Sequence, residues 1–151
     1  MKIVIVAPEG GKFDGNRNEV LRQLEEAGHE TAFVTRAGGD LRNVMADIRN
    51  EEPDLLVTEN LEGFEMCTLT DAVSYNLVHC RQLHFVFSGG LICEKYLAKQ
   101  LSLLMTFVCA DAELTKSLLS KYADIPEIIS MEDGYPNDEM LDRIVRIAAC
   151  I

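Results

Sequence analysis

Residues 1–36, MKIVIVAPEGGKFDGNRNEVLRQLEEAGHETAFVTR, decide the fold. Ile3–Ala7 is an unbroken apolar, largely β-branched run, suited to a strand covered on both faces. Pro8 breaks it into a loop, Pro8–Asn16, that holds Gly10, Gly11 and Gly15. Between Asn16 and Ala27, the residues Val20, Leu21, Leu24 and Ala27 fall on one helical face. Gly28 can supply the left-handed residue that ends this helix. Glu30–Thr35 then reads as a second strand. A strand, a glycine-bearing loop, a helix and a strand point to an α/β fold with a mostly parallel sheet. Such sheets place ligand sites at the carboxyl ends of their strands.

The same alternation continues along the chain. Leu41–Asn50 is expected as a helix, with Leu41, Val44, Met45 and Ile48 on one stripe and Asp40 before it as N-cap. Strands follow at Asp54–Thr58, Gln82–Phe87, Thr106–Ala110 and, more weakly, Pro126–Met131. Helical periodicity appears near Thr70–His79, over Cys93–Leu104, from Asp111 to Tyr122, and after Asn137. Strands alternating with helices of this length call for right-handed crossovers. The expectation is one domain over residues 1–151: a three-layer αβα sandwich with a doubly wound, mostly parallel sheet of five or six strands, Rossmann-like or flavodoxin-like.

Composition narrows the class. The chain has 151 residues, is 48% hydrophobic and carries a formal net charge of -11. That is apolar enough to bury a core and excludes a disordered chain. Its apolar runs are too short to span a bilayer, and no secretion signal opens it. Five scattered cysteines without a CxxC pair read as reduced thiols, hence a cytoplasmic protein. An acidic chain lacks the basic footprint that phosphate binding needs, so no nucleic-acid partner is expected.

Candidate ligand chemistry lies at strand ends. In the first loop, Gly10 and Gly11 allow close approach of backbone to a ligand, and the amides near Lys12, Gly15 and Asn16 can hold an anion. The spacing is neither the dinucleotide fingerprint nor a P-loop. After the fourth strand, Ser88, Gly89 and Gly90 form a second glycine-rich end. If strands one and four flank the crevice of a doubly wound sheet, the two loops face one pocket. The plain alternative for each is a tight turn without a ligand. Glu59 and Asn60 follow the third strand, where a receiver-like protein keeps its phosphoacceptor, but the accompanying acids and lysine are missing. Cys93 sits near a helix start, which can activate a thiol, without an evident base beside it. His79, Cys80 and His84 straddle a helix end and a strand and lack a second ligand pair, so no metal site is assigned.

The run of a glycine pair, a leucine-bearing helix, Gly28-His29-Glu30 and Ala32–Thr35 resembles the amino-terminal half of GT-B fold glycosyltransferases. Pro53–Thr58, Phe107–Leu119 and Ile128–Pro136 are similar to later stretches of that half. The resemblance implies an acceptor-side domain that needs a partner subunit to catalyse, with Gly10, Gly11, Ser88 and Gly89 along the interdomain cleft.

Three functional readings follow. The first is a binding or accessory domain, resembling the glycosyltransferase acceptor half, without complete catalytic machinery. The second is a small enzyme acting on a nucleotide or sugar nucleotide between strands one and four. The third is a flavodoxin-like flavin carrier, in which Tyr75, Tyr96, Tyr122 or Tyr135 would replace the missing tryptophan. The cofactor stays unknown. The expected partners are a small anionic or sugar ligand, a partner protein subunit, or a second copy through an edge strand or the apolar tail Ile144–Ile151, with no membrane.

Overall fold

A computed structural model describes residues 1–36, 41–59, 80–86, 105–109, 113 and 128–130. In chain order these form β1 (Lys2–Pro8), α1 (Lys12–Gly15), α2 (Arg17–Glu26), β2 (Glu30–Arg36), α3 (Leu41–Glu51), β3 (Leu55–Glu59), β4 (Arg81–Val86), β5 (Met105–Cys109) and β6 (Ile128–Ser130). The helices read at Thr70–His79, Cys93–Leu104 and after Asn137 lie outside the described residues, as do the tail Ile144–Ile151 and, Glu113 apart, the helix read at Asp111–Tyr122.

The strands make one sheet in the order β2-β1-β3-β4-β5-β6, and every described pair is parallel. The α/β reading therefore holds. The neighbour of β1 needs correcting. The crossover after β2 brings the chain back to the open side of β1, so β3 takes that place and β4 lies one strand further out. This is the 2-1-3-4-5 variant of the doubly wound sheet, and its reversal falls between β1 and β3. Hydrophobic periodicity marks strands but carries nothing about their order.

The centre of the sheet is dry. Ile3, Val4, Ile5, Val6 and Ala7 of β1, and Leu55, Leu56 and Val57 of β3, are 0% exposed. On one face Ile3, Ile5, Leu55, Val57, Leu83 and Phe85 pack with Phe13, Val20 and Leu24. Strand alternation sends Val4, Val6, Leu56 and Thr58 to the other face. There they are buried too, as are Val44 and Ile48 of α3. The chain travels in opposite directions across β1–β2 and β2–β3, so right-handed crossovers put α2 and α3 on opposite faces.

Local chemistry explains the element ends. Gly28 at φ 90° closes α2 in a Schellman arrangement: its amide donates to the Glu25 carbonyl at 2.9 Å, and the His29 amide to Leu24 at 3.1 Å. After α3 the corresponding left-handed residue is Glu52, at φ 49°. On the exposed side of α2, Arg22 bridges Glu19 and Glu26. The hydrogen-bonded Arg22 guanidinium holds the Glu19 carboxyl down at about 2. Arg17, at the start of α2, lays its guanidinium 4.6 Å over the Phe33 ring of β2. No described helix is long and apolar enough to cross a membrane.

Candidate functional site

The carboxyl edge of the sheet is built around the chain leaving β1. The Gly11 amide donates to the Pro8 carbonyl at 3.0 Å, which turns the chain. Gly10 takes φ 71°, and its amide donates to Asp14 Oδ2 at 2.9 Å. Residues read from sequence as loop then form the single turn of α1. Asn16 closes that turn by donating from Nδ2 to the Lys12 carbonyl at 2.9 Å.

Two contacts with described residues anchor the loop. The first is Phe13, 0% exposed, which meets Phe85 of β4 edge-to-face at 5.5 Å. The second is Glu59, the last residue of β3 and 2% exposed. Its Oε1 accepts the Lys12 amide at 2.7 Å and its Oε2 accepts the Phe13 amide at 2.8 Å. A buried carboxylate is tolerable when donors satisfy both oxygens. Gly11 completes the fit. A Cβ there would lie 2.8 Å from Pro8 Cγ and 2.9 and 3.0 Å from the two Glu59 oxygens.

The sequence-derived residues are thus only partly brought together. Gly10, Gly11, Lys12 and Glu59 meet at the β1/β3 reversal; of the amides expected to hold an anion, that of Lys12 donates to the chain's own Glu59, and those of Gly15 and Asn16 donate to the Gly11 and Phe13 carbonyls. Gly15 and Asn16 sit beside them, on an open cavity of about 380 Å³ also lined by Asp14, Arg17, Asn18 and Glu19. Asn60, Ser88, Gly89 and Gly90 lie outside the described residues, as do His79, Cys93 and the four tyrosines named above. Phe13 was missed by sequence reasoning. Its signal is a lone aromatic in an otherwise polar, glycine-rich loop.

A second polar feature occupies the opposite face of the sheet. Thr58 of β3 and Gln82 and His84 of β4 are buried, with His84 0% exposed. Thr58 Oγ1 lies 2.6 Å from His84 Nδ1, and His84 Nε2 lies 3.1 Å from Gln82 Oε1. With the Gln82 oxygen assigned to that contact, Nε2 carries the proton and Nδ1 accepts from Thr58. Burial pushes the imidazole down to about 3, so it is neutral at physiological pH. Burial also pushes the Cys80 thiol up to about 11, which keeps it protonated. His84 and Cys80 do not converge with further ligands: among the described residues no three metal-ligating side chains cluster.

No protein-family model matches the sequence. A tRNA (cytidine(56)-2'-O)-methyltransferase of Methanocorpusculum labreanum is 27% identical over 118 residues, which cover 74% of this chain. The matched part covers 62% of that enzyme's length. A solved structure, a short-chain flavodoxin associated with a PDU bacterial microcompartment, aligns over 99% of this chain and 95% of its own at 12% identity. Its TM-score of 0.39 is too low for a shared fold to follow from it. These findings correct two expectations. The glycosyltransferase resemblance does not hold, and its sugar-nucleotide and partner-subunit implications fall with it. Its motifs are those of any β-α-β opening: an apolar strand, a leucine face and the Gly28 helix stop. The exclusion of nucleic acid also fails, because a protein this chain is similar to is a tRNA methyltransferase.

Proposed function

We propose that residues 1–151 form one α/β domain that binds RNA, akin to part of a tRNA 2'-O-methyltransferase and not a complete catalyst alone. The observation that carries this reading is the 27% identity over 118 residues. The distribution of charge supports it. In the parallel sheet, Lys12, Arg17, Arg36 and Arg42 lie at the carboxyl edge by chain position and balance Glu9, Asp14, Glu19 and Glu59 there. At the amino edge Glu25, Glu26, Glu30, Glu51, Glu52 and Asp54 outnumber Lys2, Arg49 and Arg81, so the carboxyl edge is the less acidic of the two. A net charge of -11 is an average over the molecule, whereas an RNA backbone meets one face of it. The ligand-side candidates Gly10, Gly11, Lys12, Gly15, Asn16, Asn60, Ser88, Gly89 and Gly90 belong to this edge in the proposal.

A methyl donor would enter as co-substrate. The β1/β3 crevice, closed by Glu59, does not fit one as it stands. The second reading, a small-molecule enzyme at this edge, is favoured by the open cavity before α2.

Fluorescence anisotropy with an unmodified tRNA transcript at low salt tests the proposal. Binding in the micromolar range is expected, weakening as salt rises because phosphate contacts release counterions. Charge reversal at Arg36 and Arg42 should reduce it, and reversal of Arg49 near the amino edge should not. Absence of tRNA binding at low salt, alongside thermal stabilisation by a free nucleotide, would favour the second reading instead.

A further inference from the structure

We propose that Glu59 is a latch: its carboxylate holds the loop of residues 9–15 closed over the β1/β3 reversal, and the crevice there opens only when that carboxylate lets go. Three observations carry the proposal independently of which ligand the protein takes.

The first is placement. In a doubly wound sheet the reversal point is where the two outgoing loops diverge and leave a crevice. Here β1 and β3 flank that point, and the side chain that ends β3 crosses it to reach the loop that leaves β1. The second is chemistry. Both carboxylate oxygens are engaged, by the Lys12 amide at 2.7 Å and the Phe13 amide at 2.8 Å, in a site where Glu59 is 2% exposed. Charged hydrogen bonds of this length are the stronger kind. The third is fit. The backbone at Gly11 has φ -70°, which any residue adopts, so what requires glycine is space: the two oxygens sit 2.9 and 3.0 Å from where a Cβ would be. Anything that enters the crevice must first displace this carboxylate.

The rest of the loop is suited to move as a unit. Its outer bonds are local: Gly10 to Asp14, Gly15 to Gly11, and Asn16 to Lys12. They survive if the loop swings, whereas the two Glu59 bonds, 46 and 47 residues apart in sequence, do not. The Phe13 ring against Phe85 is a further long-range anchor and the pivot.

Amide hydrogen exchange on the intact chain, without ligand, tests the latch. In the unmodified protein the Lys12 and Phe13 amides should exchange through a local opening whose rate barely changes with low urea. Ile5 and Val57 in the sheet should follow global unfolding. Glu59→Ala should speed exchange at Lys12 and Phe13 by roughly tenfold or more, with Glu59→Gln intermediate because one acceptor oxygen remains. Ile5 and Val57 should keep their order of protection. If Lys12 and Phe13 of the unmodified protein exchange only with global unfolding, the loop is static core and the latch is overturned, even where the variants fail to fold. The measurement involves no RNA, so its outcome is separate from that of the tRNA-binding test.

Discussion

The amide of Phe13 donates to Glu59 Oε2 at 2.8 Å across 46 residues of chain, joining the first loop to the end of the third strand. The relationship dictates what position 11 can hold. Gly11→Ala should destabilise the protein by about 1–3 kcal/mol, the usual cost of overpacking, measured by urea unfolding. Because the new methyl collides with Glu59 as well as Pro8, Gly11→Ala combined with Glu59→Ala should cost less than the sum of the two. Strict additivity would show that the collision lies elsewhere.

Gly10 needs glycine for a different reason. Nothing lies within 4 Å of a Cβ there, but its φ is 71°. Gly10→Ala should cost about 1–2 kcal/mol, the left-handed penalty of an L-residue, and should add independently to Glu59→Ala. The same reasoning predicts a gain at Glu52, a non-glycine residue at φ 49°. Glu52→Gly should raise stability by up to about 1 kcal/mol, since relief of the left-handed strain is partly offset by unfolded-chain entropy. Differential scanning calorimetry would register the change as a higher Tm.

His84 predicts a pH dependence. The folded imidazole stays neutral down to about 3, against an ordinary value of 6.5. The unfolded chain takes up a proton below about 6.5 and the folded chain does not, so acid favours unfolding. Its contribution is complete above pH 6.5 and is lost as pH falls toward 3, amounting to about 2 kcal/mol at pH 5. Carboxylates add slopes of their own, so the comparison is with His84→Gln, whose stability should fall less between pH 7.5 and 5. Equal slopes in the two proteins would contradict a buried neutral histidine. Thr58→Val should separately cost about 1–3 kcal/mol by leaving Nδ1 of His84 without its donor.

These predictions separate what the sequence discloses from what it conceals. β1 and β3 are legible because central parallel strands are buried on both faces and read as apolar runs such as Ile3–Ala7. Gly28 is legible because a helix stop is a local event. The partner of Glu59 is not. A buried carboxylate and a solvated one look alike in sequence, and its acceptors are matched by amides 46 and 47 residues away. Phe13 is hidden for the opposite reason: its neighbours Gly11, Lys12 and Asp14 are polar or small, and one aromatic makes no periodicity. The adjacency of β3 to β1 follows from a single crossover that leaves no local trace. The candidate edge of the sheet is thus foreseeable from Gly10 and Gly11, while the group that occupies it is not.

The amino edge supplies a final prediction, in which two kinds of polar contact at one residue should differ in worth. Lys2 Nζ pairs with Glu51 at 2.6 Å and Glu30 at 3.1 Å, and the Glu30 side chain is 71% exposed. The Lys2 backbone amide donates to Asp54 Oδ2 at 2.7 Å, and the Asp54 amide returns a bond to the Lys2 carbonyl at 2.9 Å. The hydrogen bonds to Glu51 and Glu30 raise the Lys2 pKa, so its ammonium persists well into alkaline pH. Ion pairs of this kind at the protein surface contribute little, so Lys2→Met should cost little at low salt and almost nothing at high salt, where the charges are screened. Asp54→Ala removes an acceptor aligned on a backbone amide at the mouth of β1 and β3, and should cost about 1–2 kcal/mol with weaker dependence on salt. Urea unfolding at two ionic strengths distinguishes them. If the Lys2→Met loss persists undiminished in high salt, Lys2 acts through packing of its aliphatic stem and not through its ion pairs, and the contrast drawn with Asp54 is overturned.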